Sequence, residues 1–188
     1  EGCALNLLSS NHDVTKITMT YQTDFTLKYS DRPPGGYIDS VDYVMMPSEF
    51  IANYYKLNTS KNLYLGITKY DTPLDVDEVL LKYKLSPEQK KAVLVWPTPR
   101  DLSRMALGII DHLANIWYQV LIKTRGKDPL DERYKRECEK KGHRVFSDES
   151  WYPHTTQELI EVSDLVINSG STMIEECVMH NTPLINFD

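Results

Sequence analysis

Short apolar strands alternating with helical segments predict an α/β protein built on doubly wound parallel sheets. Three observations carry that prediction. From residue 92 onward the pattern reads βαβαβαβαβ. Its first strand, Ala92 to Trp96, is an unbroken apolar run of the kind a buried strand requires. The last twenty-five residues, DLVINSGSTMIEECVMHNTPLINFD, run strand, small-residue turn, helix, strand, which is one βαβ unit.

The elements follow in order. Residues 1–10 read as the tail of a helix, and Lys16 to Tyr21 alternates as a strand. Residues 22–36 are polar and close on Arg32-Pro33-Pro34-Gly35-Gly36, a loop signal. Val41 to Met45 reads as a second strand. Ser48 then sits where it can cap a helix from Glu49 to Tyr55. Leu63 to Ile67 is a third strand with Gly66 inside it. Between residues 69 and 91, Asp, Pro and Ser alternate with short helical fragments, as in a connector. The expected division is therefore residues 1–70, a linker at 71–91, and residues 92–188.

In the last part, Pro97-Thr98-Pro99 closes the first strand. A helix from Leu102 to Asn115 then places Leu102, Met105, Ala106, Ile109 and Leu113 on one face. A strand from Tyr118 to Lys123, a helix from Leu130 to Lys141, a strand from Arg144 to Phe146 and a helix from Thr156 to Val162 follow. Leu165 to Ile167, Met173 to Val178 and Leu184 to Ile185 complete the series as strand, helix and strand. A Rossmann-type sheet is the expected result.

Composition narrows the function. The 188 residues are 41% hydrophobic, which suits a globular chain, and the formal charge of −6 argues against general affinity for nucleic acid. No apolar run approaches the roughly 18 residues of a membrane span. Cys3, Cys138 and Cys177 show no metal-ligand spacing and read as reduced thiols in a cytoplasmic setting. His12, His112, His143 and His154 are scattered and form no metal cluster. The chain begins at Glu1 rather than Met and halts after a strand, so it reads as an internal piece of a longer protein.

Ligands of such sheets sit beyond the carboxyl ends of the strands. Four loops meet there, after Trp96, Lys123, Phe146 and Asn168. The Ser169-Gly170-Ser171-Thr172 turn offers hydroxyls and backbone amides able to hold phosphate. One turn further on, Glu176 is placed to accept from ribose hydroxyls. Lys123 and Arg125 bring positive charge, and Arg can bind two phosphate oxygens at once. Each half has a plainer reading. The Ser-Gly-Ser-Thr turn is also a helix cap, Glu175 and Glu176 an acidic first turn facing solvent, and Lys123 and Arg125 a solvated loop beside Asp128, Asp131 and Glu132. The combination is more specific than its parts and points to a nucleotide diphosphate.

These residues resemble the nucleotide-binding half of the GT-B glycosyltransferase fold. They are similar to the lipid II-forming N-acetylglucosaminyltransferases, the UDP-N-acetylglucosamine 2-epimerases and the CDP-glycerol glycerophosphotransferases. In those families a small-residue turn holds the diphosphate and a helix Glu binds the ribose. Ser169, Gly170, Ser171 and Thr172 match the turn and Glu176 the ribose ligand. The epimerases have a Gly-Gly pair and a closer acidic pair, from which this chain departs, so the resemblance favours a transferase. Asp42 to Glu49 and Tyr64 to Asp71 resemble late N-domain segments and the approach to the interdomain linker.

The resemblance implies that residues 1–70 are the second half of an acceptor-side domain and 92–188 an incomplete donor-binding domain. It further implies transfer of a sugar, or glycerol phosphate, from a nucleotide-diphosphate donor to a carbohydrate, lipid-linked or polymer acceptor. No metal or other cofactor is expected, because cations and amides replace a divalent ion and no D-x-D motif precedes a strand end. Peripheral membrane contact is compatible with a lipid-linked acceptor. The alternatives are a sugar-nucleotide epimerase and a non-catalytic nucleotide-binding module. The catalytic base of such transferases usually comes from the N-domain. Asp24, after the strand ending at Tyr21, is the candidate here; its structural alternative is an Asx turn opening a loop.

Overall fold

A computed structural model describes residues 14–19, 41–54, 59–67, 70–71, 73–96, 103–124, 129–147, 154–169, 171 and 173–186. The chain divides into two compact units, residues 1–71 and 72–188.

The first unit holds a three-stranded parallel sheet of β1 (Ile17–Met19), β2 (Tyr43–Met46) and β3 (Asn62–Tyr64), in that order, with helix α1 (Glu49–Tyr54) between β2 and β3. The Ser48 hydroxyl accepts from the Ile51 amide at 3.2 Å and so caps α1, as its position before an apolar-periodic segment predicts. Val41, Val44, Met46 and Ala52 form a small core. β3 ends at Tyr64, earlier than expected. Gly66 is not inside the strand but follows it at φ +77°, a left-handed backbone that cannot continue a ladder.

The second unit begins with helix α2 (Val76–Tyr83) and continues β4 (Lys91–Val95), α3 (Ser103–Asn115), β5 (Gln119–Lys123), α4 (Glu132–Lys140) and β6 (Arg144–Phe146). It finishes with α5 (Thr155–Glu161), β7 (Leu165–Asn168), α6 (Ile174–Met179) and β8 (Leu184–Asn186). All five strands are parallel, in the order β6-β5-β4-β7-β8. Counted along the unit this is 3-2-1-4-5, the Rossmann order.

Alternation along the strands builds two cores. Ala92, Leu94, Val120, Ile122 and Ile167 face Ala106, Ile110 and Leu113 of α3 and Cys138 of α4. Val93, Val95, Leu121 and Val166 face Leu159 and Ile160 of α5, Cys177 of α6 and Val79 and Tyr83 of α2. With both faces covered, β4 is buried at every position, and an unbroken apolar run is the sequence consequence.

Packing of α2 revises the expected linker. Asp75 caps the helix by accepting from the amides of Asp77 and Glu78 at 2.9 and 3.2 Å, and Val79, Tyr83 and Leu85 enter the second core. Residues from Val76 onward thus belong to the second unit. The acidic and proline-rich composition that reads as a connector is the solvent face and cap of a packed helix.

Candidate functional site

The sheet order fixes where a ligand can sit. Successive connections leave β4 in opposite directions, through α3 toward β5 and through α5 into β7, so β4 and β7 flank the topological switch point. In sheets of this order, ligands bind beyond the carboxyl ends of the strands at that point. The segment leaving β7 is the small-residue turn, and the segment leaving β5 begins at Lys123.

At the end of β7, Asn168 is fully buried. Its side-chain nitrogen donates to the Ser171 carbonyl at 2.9 Å and to Oδ1 of Asn186 at 2.7 Å. Ser169 is buried and Ser171 partly so. Among the described residues neither serine hydroxyl is held in a hydrogen bond. The cap position of α6 is taken by Met173, whose side chain makes no cap bond, so the serines are not spent as the helix cap. Gly170 and Thr172 lie outside the described residues. Because α6 is only six residues long, its dipole is a small contribution; the hydroxyls and strand-end geometry matter more.

Glu176 lies on α6 and is 8% exposed, so the solvated-acidic-face reading does not hold for it. Its carboxylate also acts on its neighbour. Burial, with the charge of Glu176 adding to it, pushes the Cys177 thiol up to about 11. A buried thiol with so little thiolate is not a nucleophile, and Cys138, also raised by burial, is excluded in the same way.

Lys123 sits at the end of β5, between Val95 of β4 and Phe146 of β6. It is buried, and its ammonium donates to the Thr124 carbonyl at 2.6 Å. The solvated-loop reading therefore fails for Lys123, whose charge lies within the sheet edge. Thr124 is buried beside it and its hydroxyl donates to the Phe146 carbonyl at 3.1 Å. Arg125 and Asp24 lie outside the described residues.

A second buried acid was not expected. Glu158 on α5 accepts from Lys82 at 2.7 and 2.8 Å and from the Tyr83 hydroxyl. This cluster ties α2 to α5 and is structural. Sequence reasoning also passed over the Asn168–Asn186 pair. Its signal was present: β7 and β8 both end Ile-Asn, and the register sets the two asparagines side by side. A surface depression lined by Asp77, Lys91, Glu161 and Asp164 lies at the opposite edge, where Asp164 accepts from the Lys91 amide, away from the strand-end loops. Among the described residues no three His, Cys, Asp or Glu side chains group as a metal site, and no helix is long and apolar enough to cross a membrane.

No family model and no curated protein matches the chain by sequence. Solved structures do match it. The wall teichoic acid polymerase TagF aligns with a TM-score of 0.59 at 15% identity over 92% of this chain and 45% of its own. A UDP-N-acetylglucosamine 2-epimerase from Rickettsia bellii gives 0.54 at 14% over 92% and 49%. The UDP-GlcNAc 2-epimerase from Neisseria meningitidis, bound to UDP-GlcNAc, gives 0.52 at 12% over 87% and 50%. The chain spans about half the length of these three structures. The likeness is one of fold: the Rossmann-like α/β arrangement of GT-B proteins.

Proposed function

We propose that the second unit binds a nucleoside diphosphate sugar at the carboxyl edge of its sheet, as the donor half of a GT-B transferase. The carrying observation is the coincidence of three features at one switch point: Rossmann strand order, two serine hydroxyls not engaged within the described residues, and a buried Glu176 on the following helix.

In this reading Ser169 to Thr172 hold the diphosphate, Lys123 and Arg125 offset its charge, and Glu176 accepts from the ribose hydroxyls. Cations and amides stabilise the leaving group, a nucleoside diphosphate for a sugar donor or a nucleoside monophosphate when glycerol phosphate is transferred, without a divalent ion. A base, for which Asp24 is the candidate, removes the acceptor proton as the hydroxyl attacks the anomeric carbon or the phosphorus of a glycerol phosphate donor. The acceptor is a carbohydrate, a lipid-linked intermediate or a polymer end, and the reaction is cytoplasmic, with peripheral membrane contact where the acceptor is lipid-linked. A second reading, epimerisation of the sugar nucleotide, is favoured by the likeness to two epimerases.

Thermal unfolding of the chain with UDP, CDP, GDP or ADP tests the site. At a hundredfold excess over Kd a selective ligand adds about 2.7 kcal/mol. That raises the midpoint by roughly 5–10 °C in a chain of this size. A pyrimidine diphosphate gives the largest shift, and Glu176→Ala and Arg125→Ala each reduce it. An unchanged shift in both variants refutes the assignment. Incubating the full-length protein with UDP-N-acetylglucosamine alone separates the reactions, since only an epimerase makes a new sugar nucleotide without an acceptor.

A further inference from the structure

The hydrogen bonds of Asn168 determine the orientation of a second side chain, Asn186, for which no role follows from the turn alone. A backbone carbonyl can only accept, so the Asn168 atom facing the Ser171 carbonyl is its amide nitrogen. The other hydrogen of that nitrogen points at Asn186 and must meet an oxygen there. This turns the Asn186 amide nitrogen away from Asn168. Asn186 is exposed, and among the described residues its nitrogen donates to nothing. Two donor hydrogens thus stand at the end of β8, one strand over from the turn.

Asn168 itself supplies an independent sign. Its Oδ1 is buried and, among the described residues, has no donor. An acceptor left so costs stability, and an apolar residue of similar shape avoids the cost. What Asn168 achieves in exchange is orientation: it holds the Ser171 backbone and the Asn186 amide in fixed relation across two strand ends.

We propose that Asn186 is a further binding residue for the anionic diphosphate, and that Asn168 is the positioning residue that aims it. The inference rests on the nucleotide reading above. Asn186 donates through Nδ2 to a phosphate oxygen beside the Ser171 turn. Asn168 touches no ligand and acts through its two neighbours.

The test compares uridine, UMP and UDP as probes of the 188-residue chain by calorimetric titration, with Asn186→Ala and Asn186→Asp. Asn186→Asp keeps an oxygen for the buried Asn168 amide, so its unliganded midpoint stays within about 2 °C of wild type, whereas Asn186→Ala leaves that donor unpaired and lowers the midpoint by several degrees. Asn186→Ala weakens UDP binding about tenfold, the loss of one hydrogen bond to a charged group. Asn186→Asp weakens it further, because a carboxylate then faces phosphate. The penalty rises from uridine through UMP to UDP. Asn168→Ala lowers UDP affinity at least as much as Asn186→Ala, and in the Asn186→Ala background its effect is smaller than in wild type. Wild-type binding of UDP with the same affinity in both Asn186 variants overturns the inference and leaves the nucleotide reading intact. So does an equal penalty for all three probes. No binding of any probe by the wild type overturns the nucleotide reading and this inference with it.

Discussion

The described parts of the two units differ most in what they bury. In the first, the described buried residues are all apolar: Val41, Val44, Met46 and Ala52. In the second, ten polar or charged side chains among the described residues are buried alongside its two cores. Burying a polar group costs free energy unless it is partnered, so the second unit spends stability on organisation at those positions. Half of that set, Lys123, Thr124, Asn168, Ser169 and Glu176, belongs to the carboxyl ends of strands or to the helix that follows the β7 turn. The others are Lys91, His143, Thr155, Gln157 and Glu158, of which Glu158 ties α5 to α2 and His143 accepts from the Val120 amide of β5.

The largest expected effect breaks the comparison at its apolar base. Leu94 is fully buried in the central strand, and Leu94→Ala costs the second unit about 3 kcal/mol. Hydrogen exchange reads this as lost protection across β4, β5 and β7 with β2 unchanged. Val44→Ala in the first unit gives the converse pattern. Protection lost in both units after either change means that they do not unfold separately.

Next is the structural half of the buried polar set. Tyr83→Phe removes one hydroxyl from the buried Glu158 carboxylate and costs about 2 kcal/mol by denaturant unfolding. Lys82, whose side chain is 42% exposed, gives a smaller loss on truncation. If Tyr83→Phe is neutral, the Glu158 cluster is not a tie between α2 and α5.

The smallest effect is a pH dependence. His143 is buried, its Nδ1 accepts from the Val120 amide at 3.3 Å, and burial lowers its proton affinity below the usual histidine range. The unfolded chain then takes up a proton near pH 6.5 that the folded chain refuses. Stability is complete above that value and falls as the pH drops toward the lowered one, by at most about 1.4 kcal/mol per pH unit. His143→Gln flattens the profile below pH 6.5. A profile of unchanged slope in that variant assigns the loss to other groups.

Much of the second unit was legible because its physics is local. β4 is apolar without interruption since both its faces are covered, and α3 shows its buried stripe at helical spacing. The observed elements there fall within two residues of those expected. The α2 boundary was not legible: Val79, Leu80 and Tyr83 are a short stripe inside an acidic, proline-flanked segment, and only packing against α5 reveals it. The candidate site was legible by residue type rather than by environment. Ser169, Ser171 and Glu176 stand out as a pattern. The burial of Lys123 and the orientation of Asn186 depend on strand register, which links residues far apart in the chain. Asp24, Arg125, Gly170 and Thr172 remain expectations, being outside the described residues.

One quiet neighbour of the site has a practical use. Cys177 is 1% exposed, keeps its proton far above neutrality and follows Glu176 directly on α6. A thiol-specific dye reaches its sulfur only in those moments when the helix lifts from the sheet. The labelling rate is therefore a clock for such breathing, built into the chain beside the residues whose occupancy it would report.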